Sequence, residues 1–144
     1  AQLTSDHGWD TWKHLGFLKD VIARLQEAGI RTSIFVDPDE KAVEGAAEIK
    51  TDRIELYTEP YATLYPINHA KAIEPFVAAA KIAANIGIDV NAGHDLSLEN
   101  LNYMYHKIPN LKEVSIGHAL IADALYLGLE NVVNMYKERL KVGG

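Results

Sequence analysis

The sequence contains no cysteine. This absence excludes disulfide bonds, thiolate metal ligands and thiol nucleophiles, and it is typical of a cytoplasmic protein. No stretch approaches the roughly 20 apolar residues needed to cross a bilayer, and residues 1–4 lack the charged and apolar pattern of a signal peptide. We therefore expect a cytoplasmic protein without a membrane segment. The chain does not begin with methionine, so we expect it to be processed or incomplete.

Positive charge is also scarce. The chain has 14 lysines and arginines against 20 aspartates and glutamates, a formal net charge of -6. Without a basic stripe or a polybasic segment, it is not expected to bind nucleic acid or an anionic membrane. A small phosphorylated metabolite is compatible with this charge, because backbone N–H groups and one or two side chains can hold it.

Several known site motifs are missing. The sequence has no HExxH motif and no paired-histidine ligand set, so we expect no metal site. It also lacks a GxGxxG motif after a strand and a GxxxxGK[ST] motif, which removes the usual nucleotide-binding loops.

The apolar residues that are present, 48% of the chain, follow an alternating pattern of strands and helices within the length of one domain, 1–144. Strands are predicted at 30–36, 53–58, 88–92 and 114–117. Helices are predicted at 11–28 and 41–49, from about 68 to 87, in the segment 95–107, and at 119–127 and 129–140, with a loop at 59–67.

This alternation predicts a parallel α/β sheet with right-handed crossovers. Four βα units are too few for the usual five-stranded flavodoxin-like fold, but they equal half of an eight-stranded barrel. The sequence favours the C-terminal half of a TIM (β/α)8 barrel, and a flavodoxin-like module is the alternative.

Three predicted strands contain or lead into polar groups of catalytic type: Glu55, His94 and His118. In parallel folds such groups meet at the carboxyl rim of the sheet. Glu55 alternates with Ile54 and Leu56, so it should face the barrel interior, where a carboxylate needs a partner or a raised pKa. A structural salt bridge is the competing interpretation.

The two histidines follow small residues. His94 comes after Asn91-Ala92-Gly93 and could transfer protons near neutral pH, although a histidine in a loop or helix cap is equally in keeping with the pattern. Gly117 precedes a short helix whose first N–H groups could bind phosphate, or it could form only a tight turn. His118 alone could be a structural or exposed histidine.

Four blocks, SIFVDPD (33–39), RIELYT (53–58) with Tyr61-Ala62, VNAGH (90–94) and SIGHA (115–119), resemble consecutive blocks of the pyridoxine 5′-phosphate synthase family. Their order and spacing match, and the resemblance covers essentially all 144 residues. It corresponds to the C-terminal portion of that family.

The resemblance implies a (β/α)8 barrel that condenses 1-deoxy-D-xylulose 5-phosphate with 3-amino-2-oxopropyl phosphate to give pyridoxine 5′-phosphate, phosphate and water, without an organic cofactor. It implies that His94 donates a proton and that Glu55 stabilises the transition state. Gly117 and His118 would hold the phosphate of the amino-ketone, and Thr4 would contact the deoxyxylulose phosphate.

Asp95 departs from the family pattern. The family often has glycine here, whose backbone helps to bind the amino-ketone phosphate; a carboxylate would repel that phosphate unless it turned away. The family's other catalytic histidine and glutamate and its phosphate-binding arginine belong to strands that this sequence does not contain. We therefore expect the chain alone to be inactive, to pair with the N-terminal half of the barrel and to form a homo-oligomer. The alternative function is a non-catalytic module that binds a phosphorylated ligand.

Overall fold

The computed structural model describes residues 5–141, so the Thr4 prediction lies outside the described residues. Along the described chain the elements are α1 (Leu15–Glu27), β1 (Ser33–Val36), α2 (Glu40–Ile49), β2 (Arg53–Tyr57), α3 (Glu59–Leu64), α4 (His69–Ile86), β3 (Asp89–Gly93), α5 (Leu101–Lys107), β4 (Leu111–Ser115), α6 (His118–Leu127) and α7 (Leu129–Arg139). The predicted alternation of strands and helices is confirmed.

Local capping explains where two of the longer helices begin. Asp39 precedes α2 and its Oδ1 accepts a hydrogen bond from the N–H of Ala42 at 3.0 Å. Asn68 does the same for α4, through the N–H of Lys71 at 2.9 Å. Each cap satisfies a donor that has no partner inside the helix. Gly87 ends α4 at φ +88°, a conformation that favours glycine.

The four strands form one parallel sheet in the order β1-β2-β3-β4. Each strand therefore lies beside its neighbour in the sequence, as in a barrel. A flavodoxin-like sheet has the order 2-1-3-4-5 instead, with its first strand inside the sheet. The structure is consistent with half of a TIM barrel.

The two faces of the sheet differ in polarity. Ile54, Leu56 and Val90 point to one face and are fully buried in a core shared with α1, α2, α4, α5 and α7. The opposite face, which we call the polar face, carries the alternate residues of the strands: Ser33, Phe35, Arg53, Glu55, Tyr57, Asp89, Asn91, Gly93, Glu113 and Ser115. The predicted orientation of Glu55, opposite to Ile54 and Leu56, follows from this alternation.

Helix α6 differs from the other long helices because it has no buried residue. Its apolar side chains Ile121, Leu125, Tyr126 and Leu127 are between 47% and 90% exposed. Exposed apolar surfaces of this kind are typical of sites that bind another protein segment, a membrane or a ligand. Within residues 5–141, no helix is long and apolar enough to span a membrane.

Strand β1 begins three residues later than predicted. The N–H and Oγ1 of Thr32 both donate to Asp52 Oδ2, at 2.7 and 2.8 Å. Thr32 is therefore held by a side chain of the loop before β2 and lies outside the strand. These hydrogen bonds, the backbone one first, lower the pKa of Asp52. Strand β4, by contrast, begins three residues earlier than predicted, at Leu111 instead of Val114, with a register shift against β3.

The predicted loop at 59–67 is wrong in part, because residues 59–64 form the short helix α3. Pro60 lies in the first turn of α3. A backbone N–H at this position has no acceptor within the helix, so the missing N–H of proline breaks no hydrogen bond. The ring of Tyr61 is fully buried against Phe76, and its hydroxyl donates to the carbonyl of Asn100 at 2.6 Å. Tertiary packing thus stabilises a helix that the two prolines obscured.

Two helical glycines give a matched test of the packing. A Cβ on Gly45 in α2 would lie 2.1 Å from Thr11 Oγ1, whereas a Cβ on Gly16 in α1 meets nothing within 4 Å. We expect Gly45→Ala to destabilise the protein by about 1–3 kcal/mol because Thr11 is buried and cannot yield. We expect Gly16→Ala to stabilise it by up to about 1 kcal/mol through helix propensity. Urea unfolding measures the free energy of unfolding of both variants. Changes of the same sign in the two variants would contradict this interpretation.

Candidate active site

A cleft of about 510 Å³ opens at the carboxyl end of β3 and β4. Its lining includes four of the predicted site residues, His94, Asp95, Gly117 and His118, together with Ser115. A volume of this size suits a small ligand. The carboxyl end of a parallel sheet is also where α/β folds place their sites.

The backbone that carries His94 is held in an uncommon conformation. His94 has φ +93° and Asp95 has φ +54°, two successive left-handed residues that are not glycine. The buried Thr58 anchors them, because its N–H donates to the carbonyl of Gly93 at 3.0 Å and its hydroxyl donates to the carbonyl of His94. Such conformations cost free energy and persist where the surrounding structure enforces them, commonly at functional sites.

The imidazole of His94 is packed on two sides. Its ring lies edge-on to Tyr57, with centroids 5.0 Å apart, and the His94 side chain is 19% exposed. Asp95 Oδ2 lies 3.1 Å from His94 Nδ1. The Asp95 carboxylate is therefore turned toward the imidazole, which reduces the repulsion of a phosphate expected from the sequence.

Glu55 lies below the cleft on the polar face. A Cβ on Gly93 would lie 2.2 Å from Glu55 Oε1, so the carboxyl group occupies the space that a side chain at residue 93 would need. Ser115 Oγ donates to Glu55 Oε2 at 3.4 Å, which links the carboxyl to a residue that lines the cleft. Burial, and to a smaller extent the charge of Glu113, raise the pKa of Glu55.

Helix α6 begins at His118, directly beyond β4. Gly117 is its N-terminal cap residue and supplies no side-chain hydrogen bond. The N–H groups of a first helical turn have no acceptor within the helix and carry a partial positive charge. His118 is exposed beside them, so this corner of the cleft can offer both backbone donors and an imidazole to an anion.

The amino-acid sequence of this chain matches a known protein family. Residues 1–142 match the model of the family described as "Pyridoxal phosphate biosynthesis protein PdxJ". A protein named pyridoxine 5′-phosphate synthase from Bacteroides fragilis is 59% identical over 141 residues, which cover 98% of this chain and 60% of the relative. The protein of that name from Christiangramia forsetii is 56% identical over 139 residues, 96% of this chain and 59% of the relative.

The chain belongs to the PdxJ family. The resemblance inferred from the four sequence blocks is confirmed, over nearly the whole chain. The chain spans about 60% of the length of the curated relatives it matches.

Within this PdxJ family chain, the structure brings His94, Asp95, Gly117 and His118 to one cleft and joins Glu55 to it through Ser115. The sequence alone did not predict a role for Ser115 or Tyr57. Alternation could have indicated Tyr57, which follows Glu55 by two residues on the same face. Among residues 5–141, no three histidine, aspartate or glutamate side chains gather to hold a metal ion.

The raised pKa of Glu55 predicts a pH-dependent stability. The folded state binds the Glu55 proton more tightly than the unfolded chain does, whose pKa is near 4.5. Stability is therefore lost as the pH rises from that value through the higher folded pKa. We expect Glu55→Gln, which carries no titrating group, to gain stability relative to wild type between pH 4 and pH 8.

Thermal unfolding across this pH range measures the difference. Glu74→Gln, at an exposed glutamate of α4, is the control and should run parallel to wild type. A constant difference between Glu55→Gln and wild type at all pH values would contradict the raised pKa.

Proposed function

We propose that this chain forms the C-terminal half of a closed (β/α)8 barrel with pyridoxine 5′-phosphate synthase activity. The barrel would condense 1-deoxy-D-xylulose 5-phosphate with 3-amino-2-oxopropyl phosphate and release phosphate and water, by acid and base catalysis without an organic cofactor. The single observation that carries the proposal is the common cleft of His94, Gly117 and His118 above Glu55. The names of the 56–59% identical relatives support the same reaction.

His94 is proposed to transfer protons to and from the substrate. Its ring is steadied by Tyr57 and Asp95, which favours one orientation during repeated proton transfers. Schiff-base formation, enolisation and dehydration each need a proton to be given or taken at a fixed place. An imidazole can both donate and accept a proton near neutral pH.

Glu55 is proposed to stabilise the charge that develops on the substrate. A carboxyl with a raised pKa can keep its proton and donate a hydrogen bond, or accept a proton, as the reaction requires. Its position over Gly93 leaves no side chain between the carboxyl and the end of β3.

The phosphate of the amino-ketone is proposed to bind at Gly117 and His118, through the first N–H groups of α6 and the imidazole. Asp95 is proposed to contribute its backbone N–H, since its carboxylate is turned to His94. Contact of Thr4 with the deoxyxylulose phosphate stays a prediction, as does a cytoplasmic location.

The remaining strands of the barrel are proposed to pair with β1 and β4, the two edges of the described sheet. The exposed apolar side chains of α6 would be covered in the same assembly. Homo-oligomer formation is expected in addition. The chain alone is expected to be inactive, and activity to appear when the N-terminal half is supplied.

The test of the proposed chemistry is His94→Asn in the full barrel. We expect kcat to fall by about 10²–10⁴-fold, because general acid and base catalysis contributes that much, while phosphate affinity changes little. Steady-state condensation assays and phosphate-binding titrations measure the two quantities.

His106→Asn, at an exposed histidine near the end of α5, is the matched control and should retain wild-type turnover. Undiminished turnover in His94→Asn would refute the proton-transfer role. A full barrel that binds phosphate but never condenses the two substrates would favour the alternative, a non-catalytic phosphate-binding module.

A further inference from the structure

Arg53 is the cation closest to Glu55 in the sequence. The two residues lie on β2 at positions i and i+2, so their side chains share the polar face with Cα atoms about 7 Å apart. Both side chains are long enough to meet across that distance. The Arg53 side chain is only 14% exposed, so an ion pair between the two would be largely shielded from water.

The structure shows a different pairing. Arg53 Nη1 lies 2.9 Å from Glu113 Oε1 and donates to Asn91 Oδ1 at 3.3 Å, and its Nε lies 3.8 Å from Asp89 Oδ2. Asn91 Nδ2 in turn donates to Glu113 Oε2 at 3.2 Å. Among residues 5–141, no ion pair joins Arg53 to Glu55.

We propose that Glu113 is a positioning residue for Glu55: by holding the Arg53 guanidinium beside Asn91 and toward β4, it keeps this cation away from the Glu55 carboxyl, which stays over Gly93 and hydrogen-bonded to Ser115. The inference rests on the proposed function, because it concerns the site that we assign to the condensation. Glu113 acts through Arg53, beside the smaller direct effect of its own charge on the pKa of Glu55, and has no contact with the reacting atoms.

The sheet register puts Glu113 in the right place. Glu55, Asn91 and Glu113 are paired across β2, β3 and β4, so the three side chains lie in one row of the polar face. Glu113 and Glu55 thus compete for the same guanidinium. Asn91 lies between them and hydrogen-bonds both Arg53 and Glu113, which favours their pairing.

Glu113 is also kept charged. Partial desolvation opposes its charge, but Arg31 and Arg53 together hold the pKa of Glu113 below its usual value. Arg31 Nη2 lies 3.1 Å from Glu113 Oε1. The Glu113 carboxylate is thereby a strong acceptor for the guanidinium of Arg53.

The ionisable groups around Glu55 on the polar face can be named from every strand. Arg53 and Tyr57 are on its own strand, Glu113 is on β4, and β3 contributes Asp89 and leads into His94. The β1 residue of the same row, Phe35, is not ionisable. Arg53 is the one cation of this set with a permanent charge, so its placement decides whether Glu55 is neutralised by an ion pair.

The test is the titration of Glu55 in Glu113→Gln, followed by carboxyl ¹³C NMR in the full-length protein that contains this chain. The released Arg53 should pair with Glu55 and lower the pKa of its carboxyl by about 1–3 pH units, the usual effect of a close cation. The acid limb of the plot of kcat against pH should also move to lower pH.

The double variant Glu113→Gln/Arg53→Met separates the two routes by which Glu113 could act. If Glu113 acts through Arg53, removal of the cation raises the pKa of Glu55 again, short of the wild-type value only by the smaller direct effect of the missing Glu113 charge. If the pKa stays low in the double variant, or does not fall in Glu113→Gln, the proposal is overturned. Glu74→Gln controls for the change in net charge.

Glu113→Asp provides a second variant in case Glu113→Gln does not fold, which its melting temperature reveals. The shorter side chain keeps its charge but reaches Arg53 less well, so a smaller fall in the same direction is expected; an unchanged titration would contradict the proposal. The NMR measurement does not depend on turnover. Failure of the proposed reaction, seen as full activity in Glu55→Gln, is thereby distinguished from failure of the positioning role.

Discussion

The parallel pairing of β2 with β3 fixes which polar side chains can meet in this molecule. It sets Arg53 beside Asp89, Glu55 beside Asn91, and Tyr57 beside Gly93. A shift by one residue would turn Glu55 into the apolar core and expose Ile54 or Leu56. The complete burial of those two side chains against the helices therefore determines the height and the direction of the carboxyl below the cleft.

Two parts of the polar face differ in the interactions of their charged groups and in the conformation of the backbone. Around Asn91, Arg53 and Glu113 form an ion pair that Asn91 hydrogen-bonds, so that the side chains of three strands are joined. At the carboxyl end, Glu55 has a raised pKa and His94 sits in a left-handed conformation. The paired groups thus lie away from the proposed chemistry, and the left-handed residues lie beside it, as strained residues often do.

Much of the fold could be predicted from sequence, because alternation of apolar residues fixes the faces of β2 and β3 and caps such as Asp39 mark helix starts. The placement of the candidate site residues at the carboxyl end of the sheet could be predicted from the same alternation and from the small residues before His94. The short helix α3 could not be predicted, since prolines in a first helical turn and in a loop look alike and the burial of Tyr61 decides between them.

The ion pair of Arg53 with Glu113 was equally hidden. The two residues are 60 positions apart in the chain, and they meet only because β4 pairs with β3 after a register shift. The left-handed conformation of His94 has no sequence signal either, because the usual marker of such a position is glycine.

Gly93 has a consequence for the tolerance of this protein to mutation. The carboxyl of Glu55 fills the volume beside its Cα, so a residue of any other kind must push that group aside. Every base change that replaces a glycine adds at least one carbon atom. Any substitution here therefore moves the Glu55 carboxyl, although the residue itself bears no reactive atom and would pass unnoticed in an inventory of functional groups.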